Sequence, residues 1–282
     1  MHKKRFAQIR SERPIGKITP INDKHAVDEA GRAYVYEPIE AAERRRKYAE
    51  FKRDKRHFTF CNMQHVRELS KSLSNKDAGY LFMLLPYVEF GSNILTNKSR
   101  NPQPLSIDDI AEIFGIQKRY AKQKIQKFIE LGVLTEVDGG AFRINEQFHF
   151  REKAGADSML VKAFHTPVKN LSLSAADMGV IYKMIPYVHY ESNLLVDNPD
   201  DKNPQLLNKT NLAKKIGMSR QKFDEVIKRL VKANVIAEVR RAQVGGDGRE
   251  IVIVLNPEII TRIKGMPNAT LAQIFRLNAE GF

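Results

Sequence analysis

The sequence predicts an α+β fold, mainly helical with small β-hairpins, in which one unit occurs twice behind a basic N-terminal arm. Two observations predict this class. In each unit, apolar residues first recur at helical spacing and then alternate with polar residues, as in strands, on either side of a glycine-rich turn. In addition, residues 73–95 and 173–195 align without a gap, and a set of residues recurs one hundred positions later: Leu73, Ser74, Asp77, Gly79, Pro86, Tyr87, Val88, Ser92, Asn93 and Leu95. A period this long indicates two whole domains rather than a solenoid.

The alignment of the two copies continues after a two-residue insertion in the second copy, where VDNPDDKNPQLL aligns with TNKSRNPQPL of the first. It predicts a basic N-terminal arm (residues 1–57) that contains a helix, a first domain (58–152), a second domain (153–265) and a helical tail (266–282). A length of 282 residues suits two domains of ordinary size, each able to bury a core of its own.

In the first copy, capping and breaking residues predict three helices and a hairpin. Ser74 is placed to cap a buried helix that Pro86 ends, because proline lacks the backbone N–H that a helix needs. Ser106 is placed to cap a short helix, and Gly115 makes the following turn. A second amphipathic helix is predicted from about Gln117 to Leu131, ahead of a hairpin with a Gly139–Gly140 turn.

The second copy predicts the same order of elements. Asn208 and Ser219 are placed to cap two helices, and Gly217 makes the turn between them. The inner face of the second of these helices is predicted to consist of Phe223, Ile227, Leu230 and Val231. Two strands then flank GGDG at residues 245–248, which predicts a longer hairpin than that of the first copy.

A helix, a glycine turn, an amphipathic helix and a hairpin together resemble the winged helix-turn-helix superfamily, which includes MarR-like regulators. The resemblance covers residues 58–150 and 158–257. Its first set of residues is Ala111, Gly115, Ile116, Gly132, Val133, Glu136 and Val137; its second is Ala213, Gly217, Met218, Asn234, Val235, Glu238 and Val239. Two tandem winged helices in a basic chain also resemble the architecture of theta-type replication initiators of plasmids and phages, without a motif specific to those initiators.

The resemblance implies that the second helix of each helix-turn-helix enters the major groove of duplex DNA. In the first copy the expected contacts lie on this helix and the wing: Lys118, Arg119, Lys122, Gln123, Gln126, Lys127 and Arg143. Arginine suits guanine, glutamine suits adenine and lysine suits phosphate. The alternative is an ordinary solvated helix face.

The second copy is expected to rely more on its wing, because Asp224 and Glu225 on its helix repel phosphate. The expected contacts are Ser219, Arg220, Gln221, Lys222 and Lys228 on the helix and Arg240, Arg241 and Arg249 on the wing. An equal alternative is that this helix contacts a protein partner.

The net charge of +14 favours a polyanionic partner. Half of this charge lies in the arm, where residues 1–57 hold sixteen basic and nine acidic side chains. A helix is expected from about Glu40 to Lys55, with Arg44, Arg45 and Arg46 following the phosphate backbone. The alternative is a solvated run of charges.

Several function classes are not expected. The histidines and the single Cys61 show no metal-ligand spacing, and neither a P-loop nor a catalytic constellation is present, so we expect no enzyme, no metal and no cofactor. Tyr87 and Tyr187 are expected to be core residues. No apolar run approaches the length of a membrane span, and the N-terminus lacks the apolar segment of a secretory signal. The expected location is cytoplasmic, in association with the nucleoid.

The expected function is sequence-specific binding of double-stranded DNA by two non-identical winged helices, in transcription regulation. One alternative is a plasmid or phage replication initiator that binds origin repeats. Another is a structural or adaptor protein that uses winged helices for protein contacts. A monomer would bind a non-palindromic site, whereas a short palindrome would indicate a homodimer.

Overall fold

The structure is a computed structural model that describes residues 6–7, 15–22, 25–36, 41, 44–45, 55–97, 99–152, 159–242, 249–263 and 269–279. The chain forms two units. The first comprises residues 1–55 with 264–266, and the second comprises residues 56–263 with 267–282. Helices and antiparallel strands are both present, which agrees with the expected α+β class.

The first unit contains a four-stranded antiparallel sheet that the sequence pattern did not predict. Its strands lie in the order β1-β4-β3-β2: β1 (Phe6–Ala7), β2 (Thr19–Pro20), β3 (His25–Val27) and β4 (Ala33–Tyr36). The buried Asp28 carboxylate accepts hydrogen bonds from the Tyr34 hydroxyl at 2.7 Å and from two backbone N–H groups of its own turn. Most of the segment from Glu40 to Lys55, where a helix was expected, lies outside the described residues.

In the second unit, residues 56–152 hold the first copy and residues 159–263 hold the second. The elements of the first copy are β5 (Phe58–Asn62), α1 (Met63–Ser72), α2 (Asn75–Leu84), a 3₁₀ turn (Leu85–Tyr87), α3 (Ile107–Phe114), α4 (Lys118–Glu130), β6 (Leu134–Val137), a 3₁₀ turn (Asp138–Gly140), β7 (Ala141–Ile144) and β8 (His149–Phe150).

The second copy repeats this order with a shorter first helix. Its elements are β9 (Leu160–Phe164), α5 (His165–Lys169), α6 (Ala175–Met184), a 3₁₀ turn (Ile185–Tyr187), α7 (Lys209–Ile216), α8 (Arg220–Lys232), β10 (Ile236–Ala242), β11 (Arg249–Leu255) and β12 (Ile260–Thr261). A last helix, α9 (Ala269–Ala279), packs Leu271 and Phe275 against Ala237 of β10.

The predicted helix boundaries follow their capping residues. The Ser74 hydroxyl accepts a hydrogen bond from the backbone of Asp77 at the start of α2, and Asn208 and Ser219 cap α7 and α8 in the same way. Ser106 and Asp109 form a reciprocal capping box at the start of α3. The α2 helix ends at Leu84, and Pro86 lies in the 3₁₀ turn that follows, which confirms proline as the helix breaker.

A four-stranded antiparallel sheet joins the two copies, in the order β12-β9-β5-β8. Its central pair places Phe60 opposite Lys162, with β8 and β12 on the outer edges. Each copy therefore contributes one inner strand from its beginning and one outer strand from its end. This arrangement relates the two copies by an approximate two-fold axis through the middle of the sheet.

The same two-fold relation holds where α2 contacts α6. A Cβ atom added to Gly79 would lie 1.7 Å from the Ala175 carbonyl oxygen, and one added to Gly179 would lie 1.7 Å from the Asn75 carbonyl oxygen. The two backbones thus approach closely enough that neither position accepts a side chain. The recurring glycine of the repeat is required by contact between the copies, which resembles the self-complementary contact of a symmetric dimer.

The recurring asparagine of the repeat holds the loop after the 3₁₀ turn in each copy. Asn93 and Asn193 have left-handed backbones, with φ of 55° and 54°. Asn93 Oδ1 accepts a hydrogen bond from the Arg151 backbone at 2.9 Å, and Asn193 Nδ2 donates to the Ile260 carbonyl at 2.6 Å. Each asparagine therefore ties its loop to the chain near the outer strand of its own copy.

Candidate nucleic-acid interface

The α4 helix has one buried face and one exposed face. Ala121, Ile125 and Phe128 are at most 2% exposed and pack into the core of the first copy. The preceding helix α3 ends at Phe114, and Gly115 after it, with a left-handed φ of 63°, makes the turn into α4. The helix pair and the β6–β7 hairpin behind it present the opposite face of α4 to solvent.

Four polar residues occupy the exposed face at helical spacing: Arg119, Lys122, Gln123 and Gln126. Side chains three, four and seven positions apart lie on one side of a helix. Within the described part of the chain, the side chains of Arg119, Lys122 and Gln123 make no hydrogen bond or ion pair, and that of Gln126 only donates to Glu130 at 3.3 Å. These residues line a shallow groove together with Lys127 and Glu130. Their donors and acceptors are available to a ligand.

Two of the expected contacts on α4 form ion pairs within the protein. Lys118 Nζ lies 2.7 Å from the carboxylate of Asp108, in a pair that is largely exposed. Lys127 Nζ lies 2.7 Å from Asp77, and Lys124 Nζ lies 2.8 Å from the other oxygen of the same carboxylate. Lys127 therefore anchors α4 to α2 while 39% of its side chain stays exposed.

Asp77 is the buried member of this cluster, at 2% exposure. Burial raises the pKa of Asp77, but hydrogen bonds from the two lysines and from Ser74 outweigh that effect and lower the pKa to about 2. The carboxylate stays charged at neutral pH and ties α4 to α2 through Lys124 and Lys127.

The second copy contains the equivalent anchor. Arg229 on α8 donates two hydrogen bonds to Asp177, from Nε at 3.0 Å and from Nη2 at 2.7 Å. This bidentate contact raises the pKa of Arg229 and holds α8 against α6. Arg229 aligns with Lys127 in the repeat, so both copies use a basic residue of the second helix for the same purpose.

Two residues of α4 were missed by reasoning from the sequence. Tyr120 is 51% exposed, and it lies on the helix one turn before the exposed Gln123. Its position on a helical wheel, beside Gln123, was a sufficient signal. Lys124 contacts Asp77. The only sequence signal for this contact was that Asp77 recurs in the second copy, as Asp177.

The exposed face of α8 is less available than that of α4. Arg220 Nη2 lies 3.0 Å from Asp224, and its Nη1 donates to Thr210 at 3.1 Å. The Ser219 hydroxyl is occupied as the helix cap. Three of the expected residues are exposed without a partner among the described residues: Gln221, Lys222 and Lys228.

The remaining expected contacts are distributed over the hairpins and the arm. Arg143 on β7 and Arg240 on β10 are exposed. The strand positions of Arg241 and Arg249 are described, but their side chains lie outside the description, as does the GGDG tip. In the other unit, Arg44 and Arg45 are exposed, and Arg46 lies outside the described residues.

Several side chains of types that often carry catalysis are buried in the fold. Burial raises the pKa of the Cys61 thiol and lowers the pKa of His149 to about 3. Tyr187 is buried and Tyr87 is partly buried. Among the described residues, no group of three His, Cys, Asp or Glu side chains could hold a metal ion. No described helix is long and apolar enough to cross a membrane.

No protein-family model matches the chain, and no curated protein sequence matches it significantly.

Proposed function

We propose that the chain is a sequence-specific double-stranded DNA-binding protein whose two copies are winged helix-turn-helix domains. In each copy a short helix, a glycine turn, a second helix and a β-hairpin follow in the order of that fold. The proposal assigns α4 and α8 as the helices that enter the major groove, and the β6–β7 and β10–β11 hairpins as the wings.

The exposed face of α4 is the observation that carries the proposal. Arginine and glutamine can each form two hydrogen bonds with the edge of a guanine or an adenine. Arg119, Gln123 and Gln126 lie on one face of α4 and have little pairing within the protein, which suits contact with bases. On an ordinary solvated helix face, charges of both signs usually alternate. The proposal assigns Lys122 to a phosphate contact.

The two copies have different roles in this proposal. The α4 helix reads bases, whereas α8 has Asp224 and Glu225 on its outer side and Arg220 held by Asp224. Gln221, Lys222 and Lys228 can still contact DNA, together with Arg240 on the wing. One chain then presents two different helices from one compact unit, and a monomer binds a non-palindromic site.

The experiment is selection of binding sites from random duplexes, followed by titration of the selected duplex with Arg119→Ala. Loss of a bidentate contact to guanine costs roughly 1–3 kcal/mol of binding free energy and relaxes specificity at one base pair. Arg100→Ala is the matched control, because it removes the same charge from an exposed loop. An equal loss of affinity for all duplexes, selected and random, would place Arg119 on phosphate instead.

The biological role that we propose is transcription regulation. Mapping of bound sites across the genome tests it, since the sites should overlap promoters. Clustered repeats beside the origin of the replicon that carries the gene would instead indicate a replication initiator. Absence of any salt-sensitive affinity for duplex DNA would favour an adaptor that contacts proteins.

A further inference from the structure

A cleft of about 910 Å³ lies between the two copies, away from the exposed face of α4. It is bounded by α1 and the start of α2 on one side, and by α6 and the end of α7 on the other. Six basic residues line it, and none of its described lining residues is acidic: Arg67, Lys71, Lys76, Lys183, Lys214 and Lys215. A volume of this size is typical of small-molecule sites, which span roughly 300–1,000 Å³.

Part of this positive charge is not neutralised by the protein. Lys71 pairs with Glu68 at 2.7 Å, and Lys215 pairs with Asp197 at 2.5 Å. Lys76, Lys183 and Lys214 have no carboxylate within 4.0 Å in the described part of the chain.

Lys183 is the most unusual of these residues, because it is only 8% exposed. Burial of its side chain lowers the pKa of Lys183, although the charge of Asp77 acts in the opposite direction. Two polar atoms on the lining residues are buried without a hydrogen-bond partner in the described structure: Ser70 Oγ and Arg67 Nε. A bound anion would satisfy these groups together.

The approximate two-fold axis supplies an internal comparison. Arg67 lies over the ring of Tyr187, and Lys169 lies over the ring of Tyr87 in the same way. A basic side chain over this tyrosine ring is therefore a feature that both copies share. The other charges of the cleft have no basic counterpart in the repeat: Lys183, Lys214 and Lys215 align with Met83, Glu112 and Ile113. The fold tolerates uncharged or acidic residues at these positions, so the lysines point to a ligand rather than to stability.

We infer that this cleft binds a small molecule carrying two or more linked phosphate groups. Phosphates accept several charge-assisted hydrogen bonds at once, and the N-terminal turn of α2 adds backbone N–H groups at Asn75 and Lys76. Phosphates of duplex DNA reach exposed side chains, whereas Lys183 is accessible only to a ligand that enters the cleft. The site is thus distinct from the α4 face and does not depend on it.

The test is isothermal titration of the full chain with inorganic tripolyphosphate, and in parallel with adenosine triphosphate. We expect one site per chain for both probes, with similar affinity if only phosphate is recognised and higher affinity for the nucleotide if its base is also bound. The double variant Lys183→Met with Lys214→Glu places the residues of the other copy in the cleft. It should weaken binding of either probe about tenfold or more, since it removes two charge-assisted contacts to phosphate.

The matched control is Arg119→Ala with Lys122→Glu, which changes the net charge by the same amount on the α4 face. We expect it to retain tripolyphosphate binding and to lose affinity for the selected duplex, whereas the cleft variant should do the reverse. Circular dichroism of both variants checks that each is folded. Failure of either probe to bind at millimolar concentration, or equal binding by the cleft variant, would overturn the inference. Loss of duplex affinity in the cleft variant, without tripolyphosphate binding by the unaltered chain, would assign the cleft to DNA phosphates.

Discussion

Replacing Asp77 with asparagine tests whether charge holds α4 in place. The Asp77 carboxylate is buried and contacts Lys124 at 2.8 Å and Lys127 at 2.7 Å. Asparagine keeps the shape of the side chain and can still contact the Ser74 hydroxyl, but it removes the negative charge. The two lysines are 31% and 39% exposed, so water can solvate them once the charge is gone.

The pKa of Asp77 sets the size of the effect. A decrease of the pKa from 3.8 to about 2 corresponds to about 2 kcal/mol of unfolding free energy at neutral pH. Because the folded-state pKa is depressed, this contribution is complete above the unfolded-state pKa and is lost as the pH falls through the folded-state pKa. It should fall to about half at pH 3 and nearly vanish at pH 2.

The assay is urea unfolding of Asp77→Asn and of the unaltered chain, followed by circular dichroism between pH 7 and pH 2. The difference in unfolding free energy should be about 2 kcal/mol at pH 7 and should shrink with acidification. Glu68→Gln is the control, since its pair with Lys71 is exposed and worth less than about 0.5 kcal/mol. A difference that stays constant at every pH would refute the electrostatic explanation and leave packing as the cause.

Three further predictions concern the contact between the copies and the α4 face. Gly79→Ala should lower the unfolding free energy in urea titrations by about 3 kcal/mol or more, because its Cβ would overlap the Ala175 carbonyl. Alanine in a helix interior would otherwise stabilise the helix by about 1 kcal/mol relative to glycine. The control Gly91→Ala, in open space at a φ of 82°, should lower the unfolding free energy by only about 1–2 kcal/mol. Tyr120→Ala should weaken binding of the selected duplex without changing the unfolding free energy, because the ring is half exposed; an unchanged affinity would remove it from the interface. Affinity for duplex DNA should fall steeply with salt, with a log–log slope of about −0.9 for each phosphate contact, and Lys122→Ala should make that slope shallower by about 1.

The elements that could be predicted from the sequence are those determined by local chemistry. Ser74, Ser106 and Ser219 begin helices because a side-chain oxygen must accept the free N–H groups of the first turn. The wheel of α4 also separated Ala121 and Ile125 inside from the exposed polar face outside. Such features depend on residues a few positions apart, so their spacing in the sequence carries the information.

The contacts between the copies could not be predicted, because they join residues about one hundred positions apart. The strands β5 and β9 are five-residue runs, largely buried, that lack the alternation of a half-exposed strand. Their antiparallel pairing, and the meeting of Gly79 with Ala175, depend on how the two copies dock. The repeat predicted two whole domains and carried no information about how the two copies dock.

The anchoring role of Lys127 illustrates a signal that the repeat did contain. Lys127 was assigned to DNA because it is basic and lies beside the exposed face of α4. Its equivalent in the second copy is Arg229, and the equivalent of Asp77 is Asp177, so the acid and the base recur together. Two residues that recur as a pair in both copies meet the same structural demand in each.

This distinction separates the residues that build the fold from those that contact partners. Ser74, Asp77, Gly79 and Asn93 recur because each copy needs a cap, an anchor, a close backbone contact and a left-handed turn at the same places. Positions that the backbone leaves unconstrained are free to differ between the copies. The copies differ at such positions on the exposed faces of α4 and α8 and in the cleft, where Lys183 aligns with Met83 of the first copy. Because fold stability does not account for these differences, the partners of the protein are best sought at these positions.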